Sequence, residues 1–423
     1  MPARGPMKGR TGLADTPLIA LALLLSAFGV VIVYSAGQTD LPVTYVAGAW
    51  KRQAAWLVVA LGAAWIATRA SVRLLEWLAW PAYLLGLALL ALTLVIGTGA
   101  GTAATMKGWI TIGGVRVGQP SELAKITTAL MLARTLGAFR EPPRSLLELW
   151  KPALVTFAPF ALVMLQPDLG SALVFVGVFF GMLFWSGVPW PMLLLLASPG
   201  VSLVLAFSTG LWGAWFLLFL ALVFWYRPYV VEGVALVLAN VAMGVVAPIL
   251  WDRLAPYQQR RLLVFLDPSR DPRASGYHVI QSQVAIGSGG WTGKGFTEGT
   301  QKRLAFLPAQ HTDFIFSVVG EELGFLGVSF ALALFLALFL RITRVAQRAN
   351  DPFSSLVAFG LGSAFFVHVL VNIGMTLNLM PITGIPLPFF SYGGSFMLAC
   401  WLAIGVVARV SAEGRGRAGA LTA

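Results

Sequence analysis

A single cysteine and only three histidines are present among the 423 residues. Cys400 lies in an apolar run, which excludes a disulfide within the chain and a metal site built on several cysteines. Charged residues are also scarce, at 11% of the chain, whereas soluble proteins average about 25%. Hydrophobic residues reach 58%, and the mean hydropathy is +0.82. These features exclude an ordinary soluble domain and indicate a helical protein that crosses a membrane many times.

Acidic residues are the minority among the charges: 17 Asp and Glu stand against 29 Lys and Arg, for a formal net charge of +12. The basic residues are spread over segments on both sides of the predicted membrane, so we expect contact with anionic lipid or an anionic substrate and no nucleic acid. We also expect no cleavable signal peptide, because the apolar run after the basic residues 1–10 has the full length of a membrane span.

Twelve apolar runs occur, each near the ~20 residues that a helix needs to cross a bilayer. They cover residues 16–37, 53–68, 74–97, 121–138, 152–167, 170–186, 190–208, 211–226, 229–250, 313–341, 354–378 and 394–411. Threading the chain through them places the basic clusters before the first run, and after the second, fourth, eighth, tenth and twelfth runs, on one side. By the positive-inside rule that side is the cytoplasm, which also holds both termini. We therefore predict one all-α polytopic membrane domain over residues 1–423, with about twelve transmembrane helices.

The same threading puts three polar segments outside: Thr98–Gln119, Trp251–Thr312 and Leu379–Ser395. The second is a large extracytoplasmic loop with an excess of basic residues. Long loops are exempt from the positive-inside rule. A solvated loop is the simplest explanation of the excess, and an anion site that faces the outer leaflet is the more specific alternative.

A glycine run at residues 287–295 surrounds Lys294, and Arg260 and Arg261 precede it in the same loop. The run is not a P-loop, because Gly295 follows Lys294 where Ser or Thr is required. Backbone N–H groups and these three cations could still hold a pyrophosphate. A glycine-rich turn with solvated cations fits the same residues, and spacing alone does not separate the two interpretations.

Two helix starts carry ionisable residues. Pro120 suits the first position of a helix, and Glu122 and Lys125 share a helix face three residues apart. They form a local ion pair, or else Lys125 lines a cavity and Glu122 orients it. Asp168 lies between the fifth and sixth runs, where a helix cap is the simplest role for an aspartate before Gly170.

Ionisable groups at membrane depth are costly and mark function, which directs attention to Asp313 and His311 at the start of the tenth run. The pair could share a metal ion, although no other histidine lies close in sequence. Ser391 belongs to a segment that we expect to fold back into the outer face. His368 and Asn372 share a helix face, and we expect them to form bonds between helices rather than to bind ligands.

The longest distinctive segments are Trp109–Lys125 (WITIGGVRVGQPSELAK), Gln166–Ala172 (QPDLGSA), Tyr257–Pro268, Gly276–Gly295, Leu307–Gly327 and Met380–Ser395. In these segments, and in their order, the sequence resembles the RodA/FtsW/SpoVE family, the SEDS proteins of bacterial shape, elongation, division and sporulation. The segments Gly384–Pro388 and His311–Phe316 resemble the elongation type, RodA, more than the division type. The family usually has ten spans, so Trp190–Tyr226 corresponds to an inserted helix pair, or one of its two runs is a re-entrant or interfacial segment.

The resemblance implies a peptidoglycan glycosyltransferase that polymerises lipid II, the undecaprenyl-pyrophosphate-linked disaccharide-pentapeptide. It implies that the reaction takes place on the outer face of the cytoplasmic (inner) membrane, with a class B penicillin-binding protein as partner. The essential aspartate of the family matches Asp313, and its important glutamate and lysine match Glu122 and Lys125.

For the mechanism, we expect Asp313 to act as the general base on the acceptor hydroxyl. A divalent ion, Mg²⁺ or Mn²⁺, is a candidate cofactor beside the pyrophosphate, and we expect no organic cofactor. The predicted substrate-binding residues are Glu122, Lys125, Asp168, Arg260, Arg261, Lys294, His311 and Ser391. Two other functions are compatible with the resemblance: a transporter that flips lipid II and a scaffold that recruits cell-wall enzymes. The unusual polar residues cluster toward the outer face, which favours the enzyme.

Overall fold

The computed structural model describes residues 15–40, 46, 48–99, 107–113, 115–254, 259, 262–265, 267, 275–304, 306–307 and 309–421. The helices with described bounds are α1 (Thr16–Ala36), α2 (Ala49–Arg69), α3 (Val72–Ile96), α4 (Pro120–Gly137), α5 (Trp150–Leu165), α6 (Leu169–Trp185), α7 (Trp190–Leu205), α8 (Thr209–Tyr226), α9 (Val230–Arg253), α10 (Ser275–Ser288), α11 (Thr300–Arg303), α12 (Ile315–Gln347), α13 (Pro352–Thr376) and α14 (Gly394–Leu421). A 3-10 turn (Leu147–Leu149) precedes α5, and two short strands, β1 (Ile110–Ile112) and β2 (Val115–Gly118), precede α4.

Eight helices of the described part are long and apolar enough to cross a membrane: α1, α3, α5 with the turn before it, α8, α9, α12, α13 and α14. The helices α6 and α7 are apolar but shorter, and α2 and α4 carry charged residues. Each of the twelve apolar runs corresponds to one helix, and the predicted all-helical membrane fold is confirmed. The number of crossings stays a prediction.

Capping residues explain where several helices begin. The Asp15 carboxylate accepts from Leu18 N–H at 3.2 Å before α1, and the Asp351 carboxylate accepts from Ser354 N–H at 2.9 Å before α13. Pro120 opens α4, where the absence of an N–H costs nothing. Each device satisfies or removes a backbone donor that lacks a partner within its helix.

A small hairpin departs from the purely helical expectation. β1 and β2 pair antiparallel, with Ile112 opposite Val115. The alternation in ITI and VRV on either side of two glycines was the sequence signal for this hairpin. The large loop also contains helices that the sequence analysis did not predict: α9 extends to Arg253, and α10 and α11 lie within residues 251–312.

The helix α13 occupies the centre of the bundle and packs against α4, α6, α12 and α14. Glycines let neighbouring helices approach closely. One example is Gly405 of α14, where a Cβ atom would lie 2.6 Å from the carbonyl oxygen of Ala64 in α2. This central packing brings α4 and α13 together, and with them the residues of the site described below.

The helices α7, α8 and α9 pack mainly against one another at the edge of the bundle. They have a small core of their own, formed by Leu195, Phe219 and Leu236. Asn240 of α9 joins the group by hydrogen bonds to Ser198 at 2.8 Å and Ser202 at 2.6 Å. The two apolar runs within residues 190–226 therefore form helices, as predicted.

Candidate active site

The helix α13 presents His368 and Asn372 on one face, a single turn apart. Both side chains are buried, and both bind backbone of the non-helical segment before α14. His368 Nδ1 lies 3.0 Å from the carbonyl oxygen of Pro386, and Asn372 Nδ2 donates to the carbonyl of Ile385 at 2.7 Å. The segment Leu379–Ser395 is thereby held against the helix bundle.

Lys125 of α4 reaches the same face of α13. Its Nζ lies 2.8 Å from Glu122 Oε1 and 3.1 Å from His368 Nε2, and both side chains of the ion pair are 5% exposed. The predicted pair between Glu122 and Lys125 is confirmed as a contact. Buried charges need both a counter-charge and hydrogen bonds, and here Lys125 has both.

Asp313 lies in the turn directly before α12, whereas the predicted apolar run included it. Its backbone carbonyl accepts from Asn372 Nδ2 at 2.9 Å. Its carboxylate faces Gly384, where a Cβ atom would lie 3.4 Å from Oδ2. The side chain is partly exposed, as a group that meets a substrate must be. Asn372 therefore joins Asp313 to the helix that also binds Lys125.

Ser391 connects the two segments around Asp313. Its Oγ donates to the carbonyl of Thr312 at 2.6 Å and accepts from Leu387 N–H at 2.7 Å. Its own carbonyl accepts from Gln53 Nε2 at 3.0 Å. The Ser391 hydroxyl is thus buried between backbone groups and holds the segment before α12 to the segment before α14.

His311 lies beside these contacts, and its carbonyl accepts from Tyr392 N–H at 2.9 Å. The two rings are 5.7 Å apart between centroids. Burial, and after it the positive charge of Arg52, lowers the pKa of His311 below its usual 6.5. The structure therefore places an imidazole with a lowered pKa two residues from Asp313.

Asp168 caps α6, as predicted, by accepting from Ser171 N–H at 3.0 Å. Its second oxygen accepts from Gln119 Nε2 at 3.0 Å, which ties the α5–α6 junction to the start of α4. A Cβ atom on Gly170 would lie 2.9 Å from the carbonyl oxygen of Thr383. The junction therefore contacts the same segment, Leu379–Ser395, that contacts Asp313.

Lys294 belongs to a second polar cluster. Its Nζ binds Glu321 Oε1 at 3.0 Å and Thr300 Oγ1 at 2.7 Å. Beside it, the fully buried Lys302 pairs with Glu322 and donates to the carbonyl of Ser35 at 2.7 Å. This cluster joins the large loop to α1 and α12.

The glycine run packs its backbone against α12. A Cβ atom on Gly289 would collide with the carbonyl of Gly320, and one on Gly293 would collide with the carbonyl of Glu322. The N–H groups of Lys294 and Gly295 donate to the carbonyls of Glu321 and Glu322 at 3.0 and 3.1 Å. These N–H groups bind protein, so the geometry favours the glycine-rich turn over the phosphate cradle.

Arg260 and Arg261 lie outside the described residues, so their predicted contact with the pyrophosphate stays a prediction. Among the described residues, no group of three or more His, Cys, Asp or Glu side chains is placed to hold a metal ion. Mg²⁺ is typically held by one or two carboxylates together with substrate phosphates. Asp313 fits that kind of site, whereas a site built from protein ligands alone does not fit the described residues.

Sequence reasoning left three contributing residues out of the site. His368 and Asn372 were predicted to bond between helices, and their spacing of four was the available signal. Gln53 of α2 had no such signal, because it meets the carbonyl of Ser391 and the N–H of Gly393 from a distant part of the chain.

The sequence matches the family model of the cell cycle proteins FtsW, RodA and SpoVE over residues 15–212 and 211–416. The chain belongs to the FtsW/RodA/SpoVE family. The predicted family is confirmed. The two matched segments meet within residues 190–226, the part of the chain where the predicted helix pair lies.

Several curated members of the family are similar over nearly the whole chain. Peptidoglycan glycosyltransferase MrdB of Escherichia coli is 35% identical over 396 residues, 93% of this chain and 92% of that protein. The probable peptidoglycan glycosyltransferase FtsW of Geobacter metallireducens is 36% identical and covers 95% of this chain and 96% of its own. Peptidoglycan glycosyltransferase RodA of Treponema pallidum is 36% identical over 73% of this chain and 77% of its own.

Solved structures of the family share the fold. A chain from a peptidoglycan synthase complex, described for its structural coordination of polymerization and crosslinking, superimposes with a TM-score of 0.71. It is 31% identical, and the match covers 95% of this chain and 98% of that one. The rod shape determining protein RodA of Thermus thermophilus is 28% identical, with a TM-score of 0.61 over 94% of this chain and 97% of its own.

Proposed function

We propose that this chain is a peptidoglycan glycosyltransferase that polymerises lipid II, with Asp313 as its general base. Family membership and the activity named for its relatives support the enzyme class. One observation carries the assignment of the site. Successive turns of α13 bind Lys125 through His368 and the backbone of Asp313 through Asn372. A buried cation and a partly exposed carboxylate are thus held in one polar site, as transfer from a pyrophosphate donor requires.

In the proposed reaction, an acceptor sugar hydroxyl attacks the anomeric carbon of the donor. The new C–O bond forms as the bond from that carbon to the phosphate oxygen breaks, and the lipid pyrophosphate leaves with the electron pair. Asp313 takes the hydroxyl proton, a role worth about 10²–10⁴-fold in rate. Lys125 stabilises the negative charge that develops on the leaving group. Displacement from the face opposite the leaving group inverts the anomeric centre, as in inverting glycosidases.

Asp313 is the carboxylate of this site that would hold a divalent ion beside the pyrophosphate, where such an ion would neutralise phosphate charge. Lys294 is less suited to the pyrophosphate because Glu321 already pairs with it. No organic cofactor is needed for this transfer, since the donor carries its own leaving group.

We assign the reaction to the outer face of the bacterial cytoplasmic membrane, with both termini inside. The distribution of basic residues along the chain supports this orientation. A class B penicillin-binding protein is the proposed partner, and the related chain found in a peptidoglycan synthase complex supports it. The similarity to RodA structures supports a role in cell elongation.

We propose that α7 and α8 are an addition to a family core of ten spans. Their packing mainly against each other and α9 supports this. Helices added as a pair keep every later segment on its original side of the membrane. The site around Asp313 therefore keeps its outward orientation.

The direct test is a polymerisation assay on the purified protein with labelled lipid II, Mg²⁺ or Mn²⁺, and a class B penicillin-binding protein. Products of the wild type are compared on a gel with those of Asp313→Asn and of Glu298→Gln. Glu298 is an exposed carboxylate of the large loop that precedes Asp313, and it serves as the matched control. We expect glycan ladders from the wild type and the control and none from Asp313→Asn.

The other outcomes lead to different conclusions. Ladders of equal intensity from all three proteins would keep the enzyme and remove Asp313 as its base. Movement of lipid II between leaflets of a reconstituted vesicle, without polymer, would replace the polymerase with a transporter.

A further inference from the structure

Lys125 uses two of its three N–H donors within the protein. One points to Glu122 Oε1 at 2.8 Å and one to His368 Nε2 at 3.1 Å. An ammonium group has three donors and no acceptor. Among the described residues, no third acceptor is in contact with Nζ, so one N–H remains for a group that enters the site.

The same contacts determine the protonation of His368. Because the Lys125 ammonium can only donate, Nε2 of His368 must be the accepting, unprotonated nitrogen. Nδ1 faces the carbonyl oxygen of Pro386 at 3.0 Å and must therefore carry the hydrogen. A protonated imidazole would point an N–H at the N–H groups of Lys125 and would add a second positive charge beside the first. The contacts on both sides thus specify the neutral Nδ1–H tautomer.

The imidazole is also held in place by its surroundings. It is 2% exposed, and the ring of Phe396 lies 4.9 Å from it between centroids. Pro386 belongs to the segment that faces Asp313 at Gly384. His368 therefore links the position of the Lys125 ammonium to the backbone on the other side of the site.

We propose that His368 is a positioning residue that, as a neutral Nδ1–H imidazole, directs the third N–H of Lys125 toward the leaving pyrophosphate. This inference rests on the proposed function for its substrate. Without an acceptor at this position the ammonium is free to turn away, and charge on the leaving group loses a donor. The loss concerns the transition state more than the bound substrate, so kcat falls more than KM rises.

Two substitutions separate this role from simple packing. His368→Gln keeps a hydrogen-bond acceptor for Lys125 and a donor for the carbonyl of Pro386. His368→Leu keeps a side chain of similar volume but can form neither hydrogen bond. Leu370→Met, on the exposed face of the same helix, is the control. We expect His368→Leu to lower kcat by about 10- to 150-fold, the range for one hydrogen bond to a charged group. His368→Gln should keep most of the wild-type kcat, and Leu370→Met all of it.

A second measurement reads the tautomer without reference to activity. With three histidines in the chain, ¹⁵N-histidine labelling yields three pairs of ring-nitrogen signals, and His368→Gln identifies the pair that belongs to His368. We expect a protonated Nδ1 and a bare Nε2. An Nε2–H tautomer or an imidazolium would overturn the proposal, and so would equal loss of kcat in His368→Gln and His368→Leu. If the leucine variant fails to fold, the nitrogen spectrum and His368→Gln decide. Failure of the wild type to make polymer would instead count against the proposed function and would leave the tautomer result standing.

Discussion

Ser391 and Thr312 are joined by a hydrogen bond of 2.6 Å from the serine hydroxyl to the threonine carbonyl, although 79 positions separate them. The bond fixes the residue next to Asp313 to the segment before α14. The same hydroxyl accepts from Leu387 N–H, so one small side chain satisfies two buried backbone groups. The position of the proposed base therefore depends on a residue that need not touch the substrate.

Replacing Ser391 by alanine leaves the Thr312 carbonyl and the Leu387 N–H without this partner. We expect a loss of about 1–3 kcal/mol in stability, together with a lower kcat because the turn that carries Asp313 is less well held. Thermal unfolding in detergent and the polymerisation assay measure the two effects. Ser186→Ala is the control, since that hydroxyl donates to the carbonyl of Leu183 in the last turn of the adjoining helix α6. An unchanged kcat in a destabilised Ser391→Ala would separate Ser391 from the chemistry.

The buried pair between Lys302 and Glu322 is expected to show strong coupling. Lys302→Met leaves the Glu322 carboxylate buried without its cation, at a cost of about 3–5 kcal/mol. Glu322→Gln leaves the Lys302 ammonium buried without its counter-charge. The double variant should lose less stability than the two single variants lose together. Arg303→Met removes a neighbouring ion pair with Asp40 that is half exposed. We expect this change to lower stability by about 1 kcal/mol or less. Additive losses in the Lys302–Glu322 cycle would contradict the pairing.

Substitutions in the glycine run test whether these glycines serve helix packing or phosphate binding. Gly289→Ala places a Cβ atom against the carbonyl of Gly320, so we expect a loss of about 1–3 kcal/mol in stability. Gly287→Ala is the matched control, because no neighbouring element of the described structure lies within 4 Å of its Cβ position. In a helix this change raises stability by about 0.4–1 kcal/mol. A Gly289→Ala protein with normal stability and weakened binding of lipid II would revive the phosphate cradle.

His311 gives the protein an acid-sensitive term in its stability. Burial holds the pKa of His311 in the folded protein below 6.5, so the unfolded chain takes up the proton first as the pH falls. With respect to His311, the folded protein has its full stability above about pH 6.5 and loses stability progressively below that pH. We expect His311→Gln to flatten the dependence of the unfolding temperature on pH between about pH 5 and pH 7. Parallel profiles for the variant and the wild type would contradict the lowered pKa.

Local features of the fold and site were predictable because their causes lie within a few residues. Pro120 begins α4, Asp168 caps α6, and Glu122 pairs with Lys125 three residues on. Apolar runs of the right length predicted the helices, since burial in lipid requires both an apolar surface and internal backbone hydrogen bonds. The hairpin before α4 went unpredicted although its alternation and glycine pair were visible, and so did the helices within the large loop.

Contacts between distant parts of the chain were beyond prediction. Lys125 and His368 are 243 positions apart, and Lys302 and Ser35 are 267 apart. The sequence shows each of these side chains, but charge and polarity alone do not specify which partner a buried group will meet. Lys294 illustrates this point. Its place in the glycine run predicted contact with a pyrophosphate, whereas in the structure it forms an ion pair with Glu321.

By itself, the sequence determined that this protein lies in a membrane, which family it belongs to and which aspartate to examine first, because hydropathy and long local motifs carry that information. The tertiary structure decided how the site is held: His368 between Lys125 and Pro386, Asn372 on the backbone of Asp313, and Ser391 on Thr312. Helix packing decides these contacts because a buried polar group must find its partner wherever the fold brings one within hydrogen-bonding distance.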